Sequence, residues 1–406
     1  MKLTIATTRV RRRKAALSAL LVAAWVVCSL PGVAQSISSL PVGDTVTQAG
    51  QGFVGDAACL SCHKEISERY RETAHRFTSS LPSRSSIGGS FSSGKNTLQT
   101  SNPDLHFLMT ESDRGSYQTA ITNGDDKKTV ERTERFDLVI GSDRKGQSYL
   151  FWQGDSLFQL PVSYWAELGQ WINSPGYQDG SARFDRPVVG RCLECHSSYF
   201  EVIAPGVNQY KKEGMRLGIT CERCHGPGAA HIALNRANPH LAHGSPQAIV
   251  NPIHLPRDRQ IDSCALCHAG LGLPVAPAFS FGPGDVLDDF IFIHKPDADE
   301  KIDVHGNQVE PLKRSRCFRE SAMTCSTCHD VHTTQRDAAS FSQKCLTCHK
   351  AEACGKFAAL GPSIAKDCVS CHMPLQESQT LIAYSKGGQL KPKVRNHQIA
   401  IYPDAQ

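Results

Sequence analysis

The sequence predicts a mainly α-helical and irregular chain with one inserted antiparallel β module. Two observations predict this fold. A cysteine-free stretch near residues 97–185 is rich in aromatic and β-branched residues between turn signals. Outside it, short gaps separate the recurring pattern C-x-x-C-H, which favours short helices and loops. The seven copies of the pattern are Cys59–His63, Cys192–His196, Cys221–His225, Cys264–His268, Cys325–His329, Cys345–His349 and Cys368–His372.

The C-x-x-C-H pattern is typical of covalent c-type haem attachment. On one helical turn its cysteines and histidine lie on the same face and can meet one porphyrin. The alternatives are Cys₄ zinc sites and thioredoxin-like redox pairs, but neither requires a histidine after every second cysteine. The sequence therefore predicts a haem-scaffolded multihaem cytochrome with seven covalently bound haem c groups.

The predicted attachment residues are the two cysteines of each motif: Cys59, Cys62, Cys192, Cys195, Cys221, Cys224, Cys264, Cys267, Cys325, Cys328, Cys345, Cys348, Cys368 and Cys371. The predicted proximal iron ligands are the motif histidines: His63, His196, His225, His268, His329, His349 and His372. Because the porphyrins would supply much of the apolar surface, we expect little conventional hydrophobic core.

Residues 1–34 are predicted to be a signal peptide. Six basic residues precede an apolar run over 15–30, and Gly32-Val33-Ala34 is a plausible cleavage site. The run is shorter than the roughly 20 residues that a membrane span needs, although an uncleaved anchor is the alternative. Export to the periplasm or beyond agrees with haem attachment, which takes place outside the cytoplasm.

The formal charge of +5 misrepresents the exported chain. All six charged residues of 1–34 are basic, so 44 − 6 = 38 basic residues face 39 acidic ones in the remainder. Haem propionates would make the holoprotein more acidic. Nucleic-acid binding, which needs a basic face, is therefore disfavoured.

The predicted domain order follows the motifs. Residues 35–96 are the N-terminal haem segment, 97–185 the β-rich insertion, 186–300 the segment of haems two to four, and 301–406 the segment of haems five to seven with the C-terminal tail. Within the insertion, Asn123-Gly124 predicts a hairpin turn and Gly154-Asp155 another. The tryptophans Trp152, Trp165 and Trp171 are expected in the core.

The sixth iron ligands are sought among ten histidines outside the motifs: His75, His106, His231, His240, His243, His254, His294, His305, His332 and His397. His332 lies three residues after His329, so it cannot reach the opposite face of the same haem and must serve a neighbour. Gly226 and Gly228 allow a turn that projects His231 onto another haem.

His75 is the next candidate. A helix is predicted over 58–77, on which His75 would lie about 18 Å from His63. It therefore either serves another haem or requires the helix to break. His397 and then His305 complete the predicted set, with methionine as an alternative ligand.

Two cysteines, Cys317 and Cys354, remain outside the motifs once Cys28 is assigned to the signal peptide. In an oxidising compartment they could form a disulfide. Two unpaired thiols are the alternative, and both stay open at this point.

These motifs resemble the multihaem c-type cytochromes related to the tetrahaem cytochromes (cytochrome c-552/4-like) that accept electrons from hydroxylamine oxidoreductase. The matching pieces are Phe53-Val54-Gly55 through Cys59–His63 to His75, Cys221–His225 with Gly226-Pro227-Gly228 and His231, Cys325–His329 with His332, and Cys368–His372 with Met373-Pro374 and His397. The resemblance implies that these extra histidines are distal ligands. The β-rich insertion and the count of seven motifs depart from that family.

The favoured function is an exported electron carrier that passes single electrons along a chain of bis-histidine haems. Its expected partners are donor and acceptor cytochromes or a quinol oxidoreductase, in a complex that could be membrane-associated. The alternative is an oxidoreductase with one open haem that acts on a small nitrogen or sulfur compound. A third alternative is a subunit whose β module docks a partner. No lysine replaces a motif histidine and no acid–base group stands out, so no catalytic residue is predicted.

Overall fold

The computed structural model describes residues 51–124, 128–204, 206–240 and 248–403. The predicted signal peptide, 1–34, lies outside these residues. Within them, no helix combines the length and apolar character needed to cross a membrane.

The helices of the described residues are short. The α-helices are α1 Asp56–Leu60, α2 Lys64–Tyr70, α3 Gly190–Glu194, α4 Cys221–His225, α5 Ala229–Ala237, α6 Arg257–His268, α7 Val309–Lys313, α8 Arg316–Arg319, α9 Ala338–Cys345, α10 Phe357–Leu360 and α11 Cys368–His372. The 3₁₀ helices are Pro252–His254, Leu287–Asp289, Cys325–Thr327, Ala351–Ala353 and Gly361–Lys366.

Strands occupy as much of the described chain as helices do. They are β1 Ser79–Ser80, β2 Thr97–Gln99, β3 Leu105–Ser112, β4 Gly115–Asn123, β5 Thr129–Arg135, β6 Leu138–Ile140, β7 Gly146–Gln153, β8 Ser156–Gln159, β9 Val162–Trp165, β10 Gln170–Asn173, β11 Arg186–Pro187, β12 Ser197–Tyr199, β13 Arg216–Leu217, β14 Leu273–Pro274, β15 Ile291–Phe292, β16 Leu375–Glu377, β17 Ala383–Ser385, β18 Gly388–Leu390 and β19 Lys393–Arg395.

The predicted mainly α fold is therefore wrong. About 25% of the described residues are helical and 24% are in strands. Short strand pairs form even between the haem motifs, where β12 pairs with β13 and β14 with β15. A strand of two or three residues is too short to show an alternation of polar and apolar residues. Its pairing partner can also be distant in sequence, so the sequence gives no local signal for it.

Two antiparallel sheets form the strand-rich part of the molecule. One has the strand order β2-β3-β4-β5, and the other has β1-β6-β7-β8-β11 with β9 joined to β7 and β10 to β9. Phe107 and Met109 on β3 pack with Phe136, Tyr149 and Trp171 in one buried cluster. This cluster is a conventional hydrophobic core, which corrects the expectation that little of one would form.

The hairpin predicted around Asn123-Gly124 is confirmed, but its turn is longer than predicted. Asn123 pairs with Thr129, and the Gly124 N–H donates to the Lys128 carbonyl, so more than two residues separate the strands. The turn at Gly154-Asp155 is a two-residue connection, since Gln153 pairs with Ser156. Trp165 and Trp171 are buried as expected, and Trp152 packs partly buried against a second cluster.

The continuous helix predicted over 58–77 is wrong. The chain forms α1, turns at the first motif, forms α2 and leaves the helix after Tyr70. The buried Thr73 hydroxyl donates to the Tyr70 carbonyl, which satisfies a backbone acceptor at the helix end. The Tyr70 hydroxyl donates to the Ile219 carbonyl at 2.6 Å. These contacts direct His75 away from the first motif.

Buried polar contacts join the first and third motifs. Glu222, inside the third motif, is 2% exposed. Its carboxylate accepts from the backbone N–H groups of Val54 and Gly55 at 2.8 Å and of Gly228 at 2.9 Å. In return, the Asp56 carboxylate accepts from the Cys221 N–H at 3.0 Å. A buried carboxylate is stable only with such donors, so these segments are fixed relative to each other.

We expect Glu222→Ala to lower the free energy of unfolding by about 3 kcal/mol, because each buried donor left unpaired costs about 1–3 kcal/mol and some relaxation recovers part of that cost. Guanidinium unfolding of the holoprotein, with haem content checked, measures this. Glu320→Ala is the control, since the exposed Glu320–Arg316 pair contributes about 0–1 kcal/mol. Equal stability of the two variants would contradict the structural role of Glu222.

Candidate haem sites

The motifs adopt helical turns, as the spacing predicts. The third, fourth and seventh motifs lie within α4, α6 and α11. In the first, fifth and sixth motifs the histidine N–H donates to the carbonyl of the first cysteine, at 2.8–3.0 Å. The second motif has a tighter turn, with the His196 N–H bonded to the Leu193 carbonyl at 3.0 Å. Each turn brings its two cysteines and histidine to one side.

Four motif histidines each face one histidine from outside the motifs. The pairs, with the distances between their ring centres, are His63 with His231 at 6.4 Å, His75 with His268 at 6.1 Å, His225 with His332 at 6.1 Å, and His329 with His397 at 6.3 Å.

These separations fit a metal between the rings. Imidazole nitrogen binds a metal at about 2 Å, and the ring centre lies about 1 Å behind that nitrogen. Two ligands on opposite sides of one ion therefore hold their ring centres about 6 Å apart. Packed aromatic rings lie about 4.5–7 Å apart between centres, so it is the recurrence of one spacing at four motif histidines that favours a metal. The residues present therefore fit a bis-histidine haem at each of the four pairs.

Hydrogen bonds orient several of these rings through Nδ1. The Nδ1 atom of His225 lies 2.8 Å from the Val250 carbonyl, and that of His397 lies 3.1 Å from the Arg395 carbonyl. His268 makes the same contact with the Gln308 side chain at 3.1 Å. When Nδ1–H donates to an oxygen, the Nε2 lone pair remains for a metal. This is the arrangement expected of iron-ligating histidines.

Burial favours the neutral form of several paired rings. It lowers the pKa of His75 and that of His397 to about 4 in each case. Burial also lowers the pKa of His268 and His329. A neutral imidazole is the form that binds iron.

The remaining sites are less complete. Burial lowers the pKa of His196, and the nearby His305 lowers it further. For His372, Nδ1 lies 2.9 Å from the Ala400 carbonyl. His349 is exposed. In the part of the chain that the structure describes, no histidine ring contacts His349 or His372 at the spacing of the four pairs.

The other histidines lie elsewhere. His106 lies on β3, paired in register with Gln99 and Ile121. His294 is exposed and bonded to Glu300 at 3.0 Å. His240 and His254 are exposed, and His243 is outside the described residues. The sequence predicted the five candidate ligands but not which motif each one faces.

Cysteines of different motifs also approach each other. Hydrogen-bond contacts link Cys59 with Cys221, Cys195 with Cys267, and Cys264 with Cys325. Within the described residues, no group of three or more histidine, cysteine or acidic side chains is arranged to hold a metal ion directly. The contacts place the first motif beside the third, and the fourth beside both the second and the fifth.

A buried charged cluster that sequence reasoning missed lies between the second and fourth motifs. Arg191 donates to the carbonyls of Leu266 at 2.5 Å and Leu271 at 2.7 Å. Glu194 is 3.3 Å from Arg191 and 3.5 Å from Arg223. The Glu194–Arg223 pair does not have the geometry of a hydrogen bond. The Nε and Nη2 atoms of Arg223, which are buried, therefore have no hydrogen-bond partner among the described residues. A haem carboxylate would satisfy them.

Cys317 and Cys354 are both free thiols in the structure. Cys317 lies near Cys328 and Cys345, since it contributes to raising the pKa of both, after the larger effect of burial.

Comparisons with known proteins agree with these sites. The family model described as cytochrome c554 and c-prime matches residues 178–226, which contain the second and third motifs. No curated protein matches the chain by sequence. Among solved structures, the outer cell wall cytochrome OcwA is similar over 86% of this chain and 79% of its own, with a TM-score of 0.53 and 17% identity.

An undecahaem cytochrome from the S-layer of Carboxydothermus ferrireducens is similar over 87% of this chain and 53% of its own, at 17% identity. Its TM-score of 0.33 does not indicate a shared fold. The fold is therefore shared with OcwA, and the cytochrome c554 and c-prime match covers the second and third C-x-x-C-H motifs.

We expect His332→Ala to keep every haem attached and to open one coordination position, because only the partner of His225 is removed. The reduced variant should bind one more carbon monoxide per chain than the wild type in an optical titration. His294→Ala is the control and should bind as the wild type does, since His294 contacts only Glu300. An unchanged stoichiometry in the His332 variant would contradict its role as a ligand.

We also expect two cysteines per chain to react with iodoacetamide in the unfolded, non-reduced holoprotein, because the fourteen motif cysteines are consumed by haem. Peptide mass spectrometry should locate the label at Cys317 and Cys354. Labelling of neither residue would show that they form a disulfide after all.

Proposed function

We propose that this chain is an exported seven-haem c-type cytochrome that transfers single electrons between redox partners. The observation that carries the proposal is the set of four histidine pairs at 6.1–6.4 Å, each joining a motif histidine to one from elsewhere in the chain. When bound, haem c supplies a one-electron ferric/ferrous couple. Two histidine ligands favour low-potential electron transfer over substrate binding.

The protein's own contribution is to hold the ligands in place. The cysteines of each motif would attach the porphyrin, and the paired rings would hold the iron from both sides. Burial lowers the pKa of His75 and His397, so their protonation does not compete with ligation near neutral pH. His305 is the proposed partner of His196.

The partner histidines also connect the sites to each other. His231 follows the third motif but faces the first, and His332 follows the fifth motif but faces the third. His75 follows the first motif but faces the fourth. Each of these sites is therefore built from the segments of two motifs. This arrangement supports short distances between successive sites, which electron transfer along the chain requires.

Export, partners and relatives are part of the proposal. The predicted signal peptide and the requirements of haem attachment support a periplasmic or otherwise exported location. The partners would be donor and acceptor cytochromes or a quinol oxidoreductase. The resemblance to cytochromes that accept electrons from hydroxylamine oxidoreductase suggests nitrogen metabolism as one setting.

A second candidate function has one observation in its favour. His349 is exposed, and among the described residues no second ring faces it. A haem attached at Cys345 and Cys348 would then have a position open to a small ligand such as nitrite or hydroxylamine. The test is whether nitrite or hydroxylamine oxidises the reduced protein. Loss of this oxidation in His349→Gly, with the other haems still attached, would support the enzyme over the carrier.

The carrier proposal is tested by intact mass and by protein-film voltammetry on the same sample. We expect the mass of the signal-cleaved chain plus seven haems and a continuous set of reversible one-electron waves. Addition of nitrite or hydroxylamine should leave these waves unchanged. Six or fewer haems in a fully matured sample would contradict the count, and a catalytic current would contradict the carrier in favour of the enzyme.

A further inference from the structure

Four exposed lysines surround the sixth motif. They are Lys344 at the end of α9, Lys350 directly after His349, Lys356 before α10 and Lys366 before α11. The segments that carry them pack on one another: α9 against Gly361–Lys366 and α11, and α10 against Gly361–Lys366 and Ala351–Ala353. We call residues 338–372 the lysine lobe.

The lobe differs in charge from the rest of the chain. It has four lysines against two acidic residues, Glu352 and Asp367, whereas residues 35–406 as a whole have 38 basic and 39 acidic residues. Within the described residues, none of the four lysines forms an ion pair. Other exposed lysines do, such as Lys145 with Glu167 and Lys211 with Glu201.

The centre of the lobe is accessible. Cys348 and His349 are exposed, and Leu360 of α10 is 54% exposed between Lys356 and Lys366. An accessible apolar side chain with charged residues around it is the usual anatomy of a transient docking surface. Charge complementarity at such a surface mainly accelerates encounter, which suits the brief contacts of electron transfer.

The first motif, which is also exposed at Cys62 and His63, lacks this character. From Asp56 to Glu72 the chain carries three basic and four acidic residues, and Arg69 is paired with Glu65. The first and sixth motifs therefore present opposite charge balances. A negatively charged partner would be attracted to the sixth motif and not to the first.

We propose that the lysine lobe is the docking surface for an acidic redox protein, which exchanges electrons through the site at His349. The proposal rests on the proposed electron-transfer function and adds the place and charge of the partner. In each encounter one electron moves between the partner's cofactor and one haem of this chain. The partner is oxidised or reduced by one electron accordingly.

The test compares two variants of equal net charge. The first is K344Q/K350Q/K356Q/K366Q. The second, K64Q/K95Q/K301Q/K386Q, removes four exposed lysines elsewhere, none of which forms an ion pair within the described residues. Stopped-flow absorbance follows reduction of each oxidised holoprotein by flavodoxin hydroquinone, an acidic protein donor, and by the methyl viologen radical cation, a small cationic donor of low potential.

At an ionic strength of about 10 mM, where the Debye length is about 30 Å, the lobe variant should react with flavodoxin at least tenfold more slowly than wild type. The control variant should change by less than twofold. At about 1 M salt, where the Debye length is about 3 Å, the difference should disappear. The methyl viologen radical cation should reduce all three proteins, with no slowing in the lobe variant.

Equal slowing of both variants would show an effect of total charge and would overturn the docking surface. So would an unchanged rate in the lobe variant. In either case, continued reduction by the methyl viologen radical cation would leave the electron-transfer function standing. If neither donor reduces the wild-type protein, the proposed function itself fails. If intact mass shows that the lobe variant has lost a haem, the four single substitutions are measured instead. Each should slow the reaction with flavodoxin, and their combined effects should approach the tenfold slowing expected of the lobe variant.

Discussion

The structure depends on one geometric constraint, the gap of about 6 Å between paired histidine rings. Four pairs keep this gap although their histidines come from different helices, loops and the C-terminal tail. Packing of apolar side chains alone would bring such rings together, because protein interiors are close-packed. A gap of one size, repeated at four places between two imidazole rings, is what ligation of iron requires. The short helices and turns around the motifs position these rings.

The gaps must be supported by something other than a hydrophobic core, and buried polar groups provide that support. Glu222 joins the third motif to the chain before the first, and Arg191 joins the second motif to the end of the fourth. Both side chains lie inside or beside a motif, so they fix one attachment site relative to another. Buried charges are costly unless fully bonded. This cost makes the relative position of the sites specific, while the two sheets supply a conventional core to one side.

The sequence predicts the local chemistry but not the arrangement of the sites. Seven motifs predict the attachment residues, and the spacing of His332 from His329 predicts a neighbouring site. In the structure the His332 ring faces that of His225. The pairing of His75 with His268 could not be predicted, since it depends on where the chain turns after Tyr70. The mainly α fold was wrong because short strands such as β12 and β13 leave no periodic pattern. Glu222 was missed because its donors, Val54 and Gly55, are about 170 residues away.

The most direct test of the paired sites is the electron paramagnetic resonance spectrum of the oxidised holoprotein, because it reports the angle between two axial imidazole planes. The planes are near-parallel in three pairs, at 21°, 22° and 25°, and near-perpendicular in the His75–His268 pair, at 86°. The account predicts rhombic low-spin signals together with a strongly anisotropic low-spin signal of large maximum g value. That second signal should be lost in His75→Ala while the rhombic signals remain. A spectrum of purely high-spin haem, or a His75 variant that keeps every low-spin signal, would contradict the account.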